Sequence, residues 1–268
     1  MIIQKMLATF GEGSAEIDLR LDHHRYRAGE EIEGHFFLKG GTVEQQINGI
    51  EITLILTARD GKKGRRFPIT AAPISSSFRL APEKEKMISF SLRLPHTLPI
   101  SGPEVSYHFS TRLDIPGGID PIDTDPIEIL PPEPLQFVFN ALEKLGFKEQ
   151  ESSEAIDGQA QEFSFSPTSA FLGTIEEVEL LARVEKKGLR LFLEVDLLSR
   201  RYKEIEIVHE LFLEETLLQN TDHLTEHLRN ILEQIVHHPK KFQGDKRRKY
   251  AYEGLFGSLG EIRLQDTT

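Results

Sequence analysis

The chain of 268 residues is long enough for two domains that each bury a core of their own. It has no cysteine, which excludes disulfides, thiolate catalysis and cysteine-based zinc sites and suits the reducing cytoplasm. Its net charge of −11 argues against a general nucleic-acid-binding protein, because phosphate neutralisation needs a net basic face.

No stretch of the sequence approaches the roughly 18 consecutive apolar residues of a membrane-spanning helix. The first residues, MIIQKML, are followed by polar residues and lack the apolar core of a signal peptide. We therefore expect a cytoplasmic protein with no membrane span and no specific nucleic-acid partner.

Alternating apolar and polar residues predict β-strands from the start of the first domain. The alternation runs through residues 11–22 and 31–39, and β-branched residues are frequent in 50–56. A period of two is typical of a strand with one buried face. The pair Asp60-Gly61 then predicts a hairpin turn. The basic residues after it form either a solvated hairpin tip or a contact for an anionic partner.

Part of this region resembles a known family. Residues 25–34, RYRAGEEIEG, resemble the opening of an arrestin-like N-terminal domain, and residues 39–47, KGGTVEQQI, are similar to the bacterial sporulation-control (stage zero, protein M) family. The resemblance runs from about Gly11 to the end of the second domain. It implies tandem β-sandwiches and a role in early sporulation control, or in a process related to cell division, in a Gram-positive bacterium.

Further strands are predicted before residue 131. Residues 67–80 contain Pro68 and Pro73 and indicate an edge strand or an irregular crossing, because proline cannot donate to a sheet ladder. Residues 84–95 and 105–115 alternate more cleanly, and a last strand precedes the prolines of residues 131–134, which predict a linker.

The segment 116–126 is the most acidic loop of the first domain. Asp114, Asp120, Asp123 and Asp125 offer the oxygen ligands that a hard cation prefers. The spacing is not that of an EF-hand loop, and aspartates near prolines also cap turns. Loop 120–125 therefore has two open interpretations, a cation site and a structural turn.

The first clear helix follows the linker. An apolar stripe with helical spacing runs from Leu135 to Leu145, and Gly146 stands where a C-cap glycine belongs. We expect this interdomain helix to pack on the second domain.

The β pattern resumes at Gln161 and continues through residues 163–165, 178–185, 189–198 and 204–213. This pattern predicts a second β-sandwich. The predicted fold is mainly β, with arrestin-like sandwiches in residues 1–131 and 132–215 and a C-terminal helix with a basic tail in residues 216–268.

Residues 220–238 predict the C-terminal helix, with Thr221 or Asp222 as its cap. One face carries an apolar stripe that could join a partner or a second copy of the chain: Leu224, Leu228, Ile231, Leu232 and Ile235.

Two histidines of this helix, His223 and His227, lie four residues apart beside Glu226. The order HLTEH differs from the zinc pattern HExxH, in which the glutamate follows the first histidine directly. A solvated pair and a metal site are both compatible with the spacing.

The strongest positive patch of the sequence follows the helix. It comprises Lys240, Lys241, Lys246, Arg247, Arg248 and Lys249. Such a patch could contact RNA, an anionic lipid head group or an acidic protein face, or could be a solvated linker.

No catalytic or cofactor-binding motif is present in the sequence, neither GxSxG nor a phosphate loop. We predict a protein that is not an enzyme and needs no cofactor. It would act as an interaction scaffold or regulator whose protein partner binds through β-edges or the C-terminal helix, with a homodimer as one assembly. The alternative hypothesis is a metal-dependent enzyme or sensor that uses His223 and His227 or loop 120–125.

Overall fold

The structure, a computed structural model, describes residues 14–60, 63–73, 76–95, 97–150, 161–198 and 205–242. These residues divide into two units. The first holds the described residues up to 95 together with Val105–Leu130. The second holds Thr97–Glu104 and the described residues from 131 onward.

The first unit is built from strands. In chain order they are β1 (Glu16–Leu21), β2 (Arg25–Arg27), β3 (Glu31–Lys39), β4 (Gln45–Ile47), β5 (Gly49–Asp60), β6 (Lys63–Pro73), β7 (Phe78–Leu80), β8 (Glu85–Arg93), β9 (Val105–Asp114) and β10 (Ile122–Leu130).

These strands form two main sheets and one short pair. One sheet has the order β1-β3-β8, the other has the order β2-β10-β9-β5-β6, and β4 pairs with β7. The pairings are antiparallel except for β2, which runs parallel to the end of β10. Alternate side chains of β3 and β9 are buried, as the period of two predicts.

Gly34 lies in the middle of β3, where a glycine is unusual because it weakens a strand. A Cβ atom there would lie 2.6 Å from the carbonyl oxygen of Arg20 and 2.9 Å from the Phe90 ring. The missing side chain allows Phe90 to pack on Phe36, with 4.8 Å between the ring centres. Gly34 is therefore required by close packing on both of its sides.

The described residues of the second unit form a five-stranded sheet and three helices. Its elements are α1 (Glu133–Lys144), β11 (Phe147–Glu149), β12 (Phe163–Pro167), β13 (Ile175–Glu185), β14 (Gly188–Leu197), β15 (Ile205–Glu214), α2 (Glu215–Leu218) and α3 (Thr221–His237), followed by a 3₁₀ turn (Pro239–Lys241).

The sheet of the second unit is an antiparallel meander in which β11 to β15 are adjacent in chain order. Helix α1 packs on it through a fully buried stripe that includes Leu135, Val138 and Leu142. Phe139 adds contacts to the rings of Phe163 and Phe165, with centres 5.1 and 5.4 Å away. Within the described residues, the layer that packs on this sheet is helical.

The end of α1 agrees with its sequence signal, whereas the start of α3 differs from the predicted one. Gly146, with a φ of 83°, follows α1 in the left-handed conformation that favours glycine. The cap of α3 is Asn220, whose side chain accepts a hydrogen bond from the His223 N–H at 3.0 Å. The predicted caps, Thr221 and Asp222, are wrong by one or two residues and lie in the first turn of the helix.

The prediction of a mainly β protein with a helix after the first set of strands and a C-terminal helix is confirmed. The second β-sandwich predicted for residues 132–215 is corrected, because the described residues of that unit form one five-stranded sheet on which helices pack. Helix α1 belongs to the second unit, as expected.

Candidate interaction surfaces

Three long strands lie at sheet edges: β6, β8 and β15. An edge strand presents backbone N–H and C=O groups to which an extended segment of another chain can pair. Proteins commonly protect such edges with proline, lysine or other charged residues. The three edges differ in this protection.

Strands β6 and β8 carry protecting residues. Strand β6 contains Pro68 and Pro73, and its predicted edge position is confirmed. Strand β8 is charged and largely exposed. Its Lys86 ammonium lies 4.0 Å from the centre of the Phe78 ring, and its Arg93 pairs with Glu31 at 3.6 Å.

Strand β15, with the sequence IEIVHELFLE, contains no proline, lysine or arginine. It pairs with β14 along all ten of its residues. Within the described ranges, no other strand pairs with its second side. Of the three long edges, β15 is the one with neither a proline nor a positively charged residue, and its charged residues are glutamates.

Alternate residues of β15 direct their backbone groups toward the open edge. The N–H of Glu215 donates to the C=O of Lys187 at 3.0 Å, and Leu213 lies opposite Leu189 in the same register. The odd-numbered residues of β15 therefore form the hydrogen-bonded pairs with β14. The even-numbered residues, 206 to 214, point their N–H and C=O groups away from it.

These even-numbered residues also share one face of the sheet. In order they are Glu206, Val208, Glu210, Phe212 and Glu214, and we call them the β15 outer row. The Glu210 carboxylate pairs with Arg190 at 2.7 Å, and the Arg190 guanidinium lies 5.3 Å from the centre of the Phe212 ring. Phe212 remains 37% exposed.

The sequence predicts a strand at residues 204–213 but does not distinguish it from the other strands. Its edge position follows from the strand order of the sheet, which a single sequence does not reveal.

The acidic loop of the first unit is used for structure rather than for a common site. Asp120 accepts a hydrogen bond from the Ile115 N–H at 2.9 Å and pairs with Arg112 at 2.9 Å. Asp123 Oδ2 accepts from the Leu19 N–H at 2.7 Å, so this carboxylate occupies part of the free side of β1. Residues 120 and 123 therefore serve a turn and a sheet edge.

Asp125 is half-buried and lies on the same face of β10 as Asp123. The register places it opposite the buried Phe109, and its Oδ2 is buried without a hydrogen-bond partner. Burial, with the nearby charges of Asp123 and Asp18, raises the pKa of Asp125 to about 7.

We expect Asp125→Asn to flatten the dependence of the first unit's stability on pH. The raised pKa means that the folded protein holds this proton more tightly than the unfolded chain does, whose aspartates have a pKa near 3.9. The contribution of the protonated Asp125 carboxyl to folding stability is therefore complete below about pH 4. This contribution is lost as the pH rises toward about 7. After allowance for solvent screening, the asparagine variant should be more stable than wild type by about 1–2 kcal/mol at pH 8.5.

Denaturant unfolding of both proteins at pH 4.5 and pH 8.5 measures this effect. Glu85→Gln, which changes an exposed residue of β8, is the control and should show no such change with pH. A difference between Asp125→Asn and wild type that is equal at both pH values would contradict the prediction.

The two histidines of α3, His223 and His227, are both exposed. Neighbouring Glu226 lies 3.5 Å from Arg229. Within the part of the chain that the structure describes, no three histidine, aspartate or glutamate side chains are grouped closely enough to hold a metal ion. The described geometry therefore gives no support to the metal-dependent alternative at the histidines or at loop 120–125.

The apolar stripe of α3 is not an open surface. Leu224, Leu228, Leu232 and Ile235 are buried within the second unit, where α3 packs against α1 and α2. Ile231 is half-buried. The prediction that this stripe is available to a partner is corrected, because helix α1 and its neighbours already cover it.

The basic patch is described only in part. Lys240 and Lys241 lie in the 3₁₀ turn after α3 and are both exposed. Lys246, Arg247, Arg248 and Lys249 lie outside the described residues. The patch stays a prediction.

A small cleft of about 240 Å³ lies in the second unit between the start of α1 and the β13–β14 turn. Its ionisable lining residues are Glu133, Glu185, Lys186 and Glu215. Hydrogen bonding to Arg190 lowers the pKa of Glu185, which keeps this carboxylate charged. The lining contains no histidine or hydroxyl group that could serve as a base or nucleophile in acyl transfer.

Among the described helices, none combines the length and the apolar character that crossing a membrane requires.

Comparison with known proteins gives a consistent result. A sequence model of the family described as "Spo0M: SpoOM protein" matches residues 3–201. The chain is 31% identical over 253 residues to the sporulation-control protein Spo0M of Bacillus subtilis (strain 168), covering 87% of this chain and 98% of that protein. The crystal structure of Bacillus subtilis Spo0M is similar with a TM-score of 0.68 at 30% identity, over 83% of this chain and 99% of that one.

Proposed function

Because this chain belongs to the Spo0M family of sporulation-control proteins, we propose that it is a non-enzymatic regulator of early sporulation or cell division that acts by binding other proteins. The binding surface is the open edge of β15. We place this activity in the cytoplasm, which suits a chain without cysteine.

The proposal rests on the backbone groups of β15 that point away from β14 and on the residue types of this strand. Five consecutive even-numbered residues of β15 direct their backbone groups away from β14, and no residue of the strand is a proline, lysine or arginine. A partner segment that adds a strand gains main-chain hydrogen bonds without any rearrangement of the sheet.

The alternative surfaces have weaker support. The α3 stripe is buried, β6 is interrupted by prolines, and β8 carries the positive charges of Lys86 and Arg93. A second copy of the chain is another occupant that an open edge can accept, and it would give a homodimer. A catalytic role gains no support from the cleft or from the acidic loop.

We expect Glu210→Pro to abolish partner capture while Glu210→Ala retains most of it. Proline at this position removes an N–H that faces the open edge and leaves the hydrogen bonds to β14 intact, whereas alanine removes the same carboxylate and keeps the N–H. The two variants therefore separate the backbone contribution from that of the side chain.

The measurement is an affinity purification with the full chain as bait, followed by mass spectrometry of the proteins retained by wild type and by both variants. Circular dichroism confirms that each variant is folded. If the proline variant retained the same proteins as wild type, the β15 edge would not be the binding surface.

A further inference from the structure

The side chains beside the open edge indicate which kind of segment would pair with it. Residues of the β15 outer row that point their backbone toward the edge also point their side chains to one face of the sheet. An added strand would place its own side chains directly opposite them, with Cβ atoms about 4.5–5.5 Å apart. The chemistry of the row therefore selects the chemistry of the partner.

The β15 outer row has a regular pattern. Glutamates occupy positions 206, 210 and 214, and the apolar residues Val208 and Phe212 lie between them. Opposite charges across a strand pair are favourable and like charges are unfavourable, while apolar pairs on the same face are favourable. The matching strand carries a basic residue at every fourth position and an apolar residue midway between the basic ones.

Charge also distinguishes such a partner from a second copy of this chain. Antiparallel pairing of residues 206–214 with the same residues of a second copy would place Glu210 opposite Glu210 and Glu206 opposite Glu214. Each of these pairs brings like charges together. The pattern thus opposes the symmetric assembly in that register and favours a partner with positive charge.

We infer that the β15 edge binds an extended basic segment of another protein, in which lysine or arginine alternates with apolar residues at every second position. This inference rests on the proposed function, since it requires that the edge accept a strand. Phe212 provides the exposed apolar contact. The three glutamates provide the charge selection, and Arg190 holds the carboxylate of Glu210 in place at 2.7 Å.

Three synthetic nonapeptides test the inference with the full chain. The basic peptide KTVTKTVTK presents the pattern in either strand direction, QTVTQTVTQ is its neutral counterpart, and KKKTTTTVV has the charge of the first without its spacing. Fluorescence anisotropy of labelled peptides at low salt measures binding. We expect the basic peptide to bind about tenfold more tightly than the neutral one, and the scrambled peptide to bind no better than the neutral one.

Two variants assign the preference to the edge. The triple change E206Q/E210Q/E214Q should remove the preference for lysine while it retains binding of the neutral peptide, and E210P should weaken binding of both patterned peptides. The preference should also diminish as the salt concentration rises, because exposed charge pairs are screened.

The outcomes distinguish a failure of the charge selection from a failure of the proposed binding at the β15 edge. Equal binding of the basic and neutral peptides overturns the charge selection and leaves the proposed edge intact. Tight binding of the scrambled peptide shows attraction to the acidic chain as a whole and overturns the pattern. No binding of any peptide overturns both, and a wild-type dimer that E210P converts to a monomer identifies a second copy as the occupant.

Discussion

Replacing Gln161 with leucine is expected to destabilise the second unit by about 2–5 kcal/mol, an effect large enough to lower its melting temperature by roughly 5–15 °C. Gln161 is fully buried, and it forms two hydrogen bonds with the backbone of Ile100. Its Oε1 accepts from the Ile100 N–H at 2.7 Å, and its Nε2 donates to the Ile100 C=O at 3.0 Å.

The magnitude follows from what leucine would leave behind. Leucine has nearly the same volume but no polar atoms, so the N–H and the C=O of the buried Ile100 would both lose their partner. Each buried polar backbone group without a hydrogen bond costs about 1–3 kcal/mol. The segment Thr97–Glu104 belongs to the second unit. The two hydrogen bonds join the backbone of this segment, at Ile100, to the side chain of Gln161.

Thermal unfolding measures the loss, and hydrogen exchange at the Ile100 amide reports it locally. Gln234→Leu, at an exposed position of α3, is the matched control and should change stability by less than about 0.5 kcal/mol. If Gln161→Leu retained both the melting temperature and the protection of the Ile100 amide, the two hydrogen bonds would be of little consequence.

Leu228→Ala is expected to destabilise the second unit by about 2–5 kcal/mol, the range typical of a buried leucine in a packed core. Leu228 is 2% exposed and lies in the stripe by which α3 packs on its neighbours. The loss combines the transfer of the missing methyl groups with the cavity that the shorter side chain leaves.

The control is Ile231→Ala in the same helix, because Ile231 is only half-buried and its truncation should cost less. Thermal unfolding ranks the two variants, and circular dichroism confirms that the helix is retained. A Leu228→Ala protein with unchanged stability but weakened partner capture would show that the stripe is a binding surface, contrary to its burial.

The strands and the long helices were predictable because each depends on a local pattern. Alternation identified β3, β9 and β14, helical spacing identified α1 and α3, and the position of Gly146 identified the end of α1. In each case one face of the element is buried, so the sequence itself carries the period of the structure.

Pairings between distant parts of the chain were not predictable in the same way. The parallel pairing of β2 with β10 and the hydrogen bond from Leu19 to Asp123 join residues about 100 positions apart. Polar side chains such as Asp123 and Gln161 show no period, so a single sequence does not reveal which backbone group each one binds. The acidic loop was therefore open to two interpretations until its partners were known.

The availability of a surface depends on the fold as well as on the pattern. The α3 stripe and β15 are both rich in apolar residues, but α3 is covered by helices of its own unit while β15 lies at the end of a sheet. Strand order decides which strand is last, and strand order is a property of the whole unit. For this reason the sequence predicted sheet edges and a helix face as equally possible binding surfaces. The burial of the helix face in the structure leaves the sheet edge as the better supported of the two.

The chain's path through its two units bears on how such a protein can evolve. Between β8 and β9 it leaves the first unit, contributes Thr97–Glu104 to the second, and returns before the linker at Pro131. A gene fragment that ended at the linker would encode Leu98 and Ile100, both buried in the second unit, without the residues that surround them. The halves are thus expected to be inherited together rather than exchanged as independent modules.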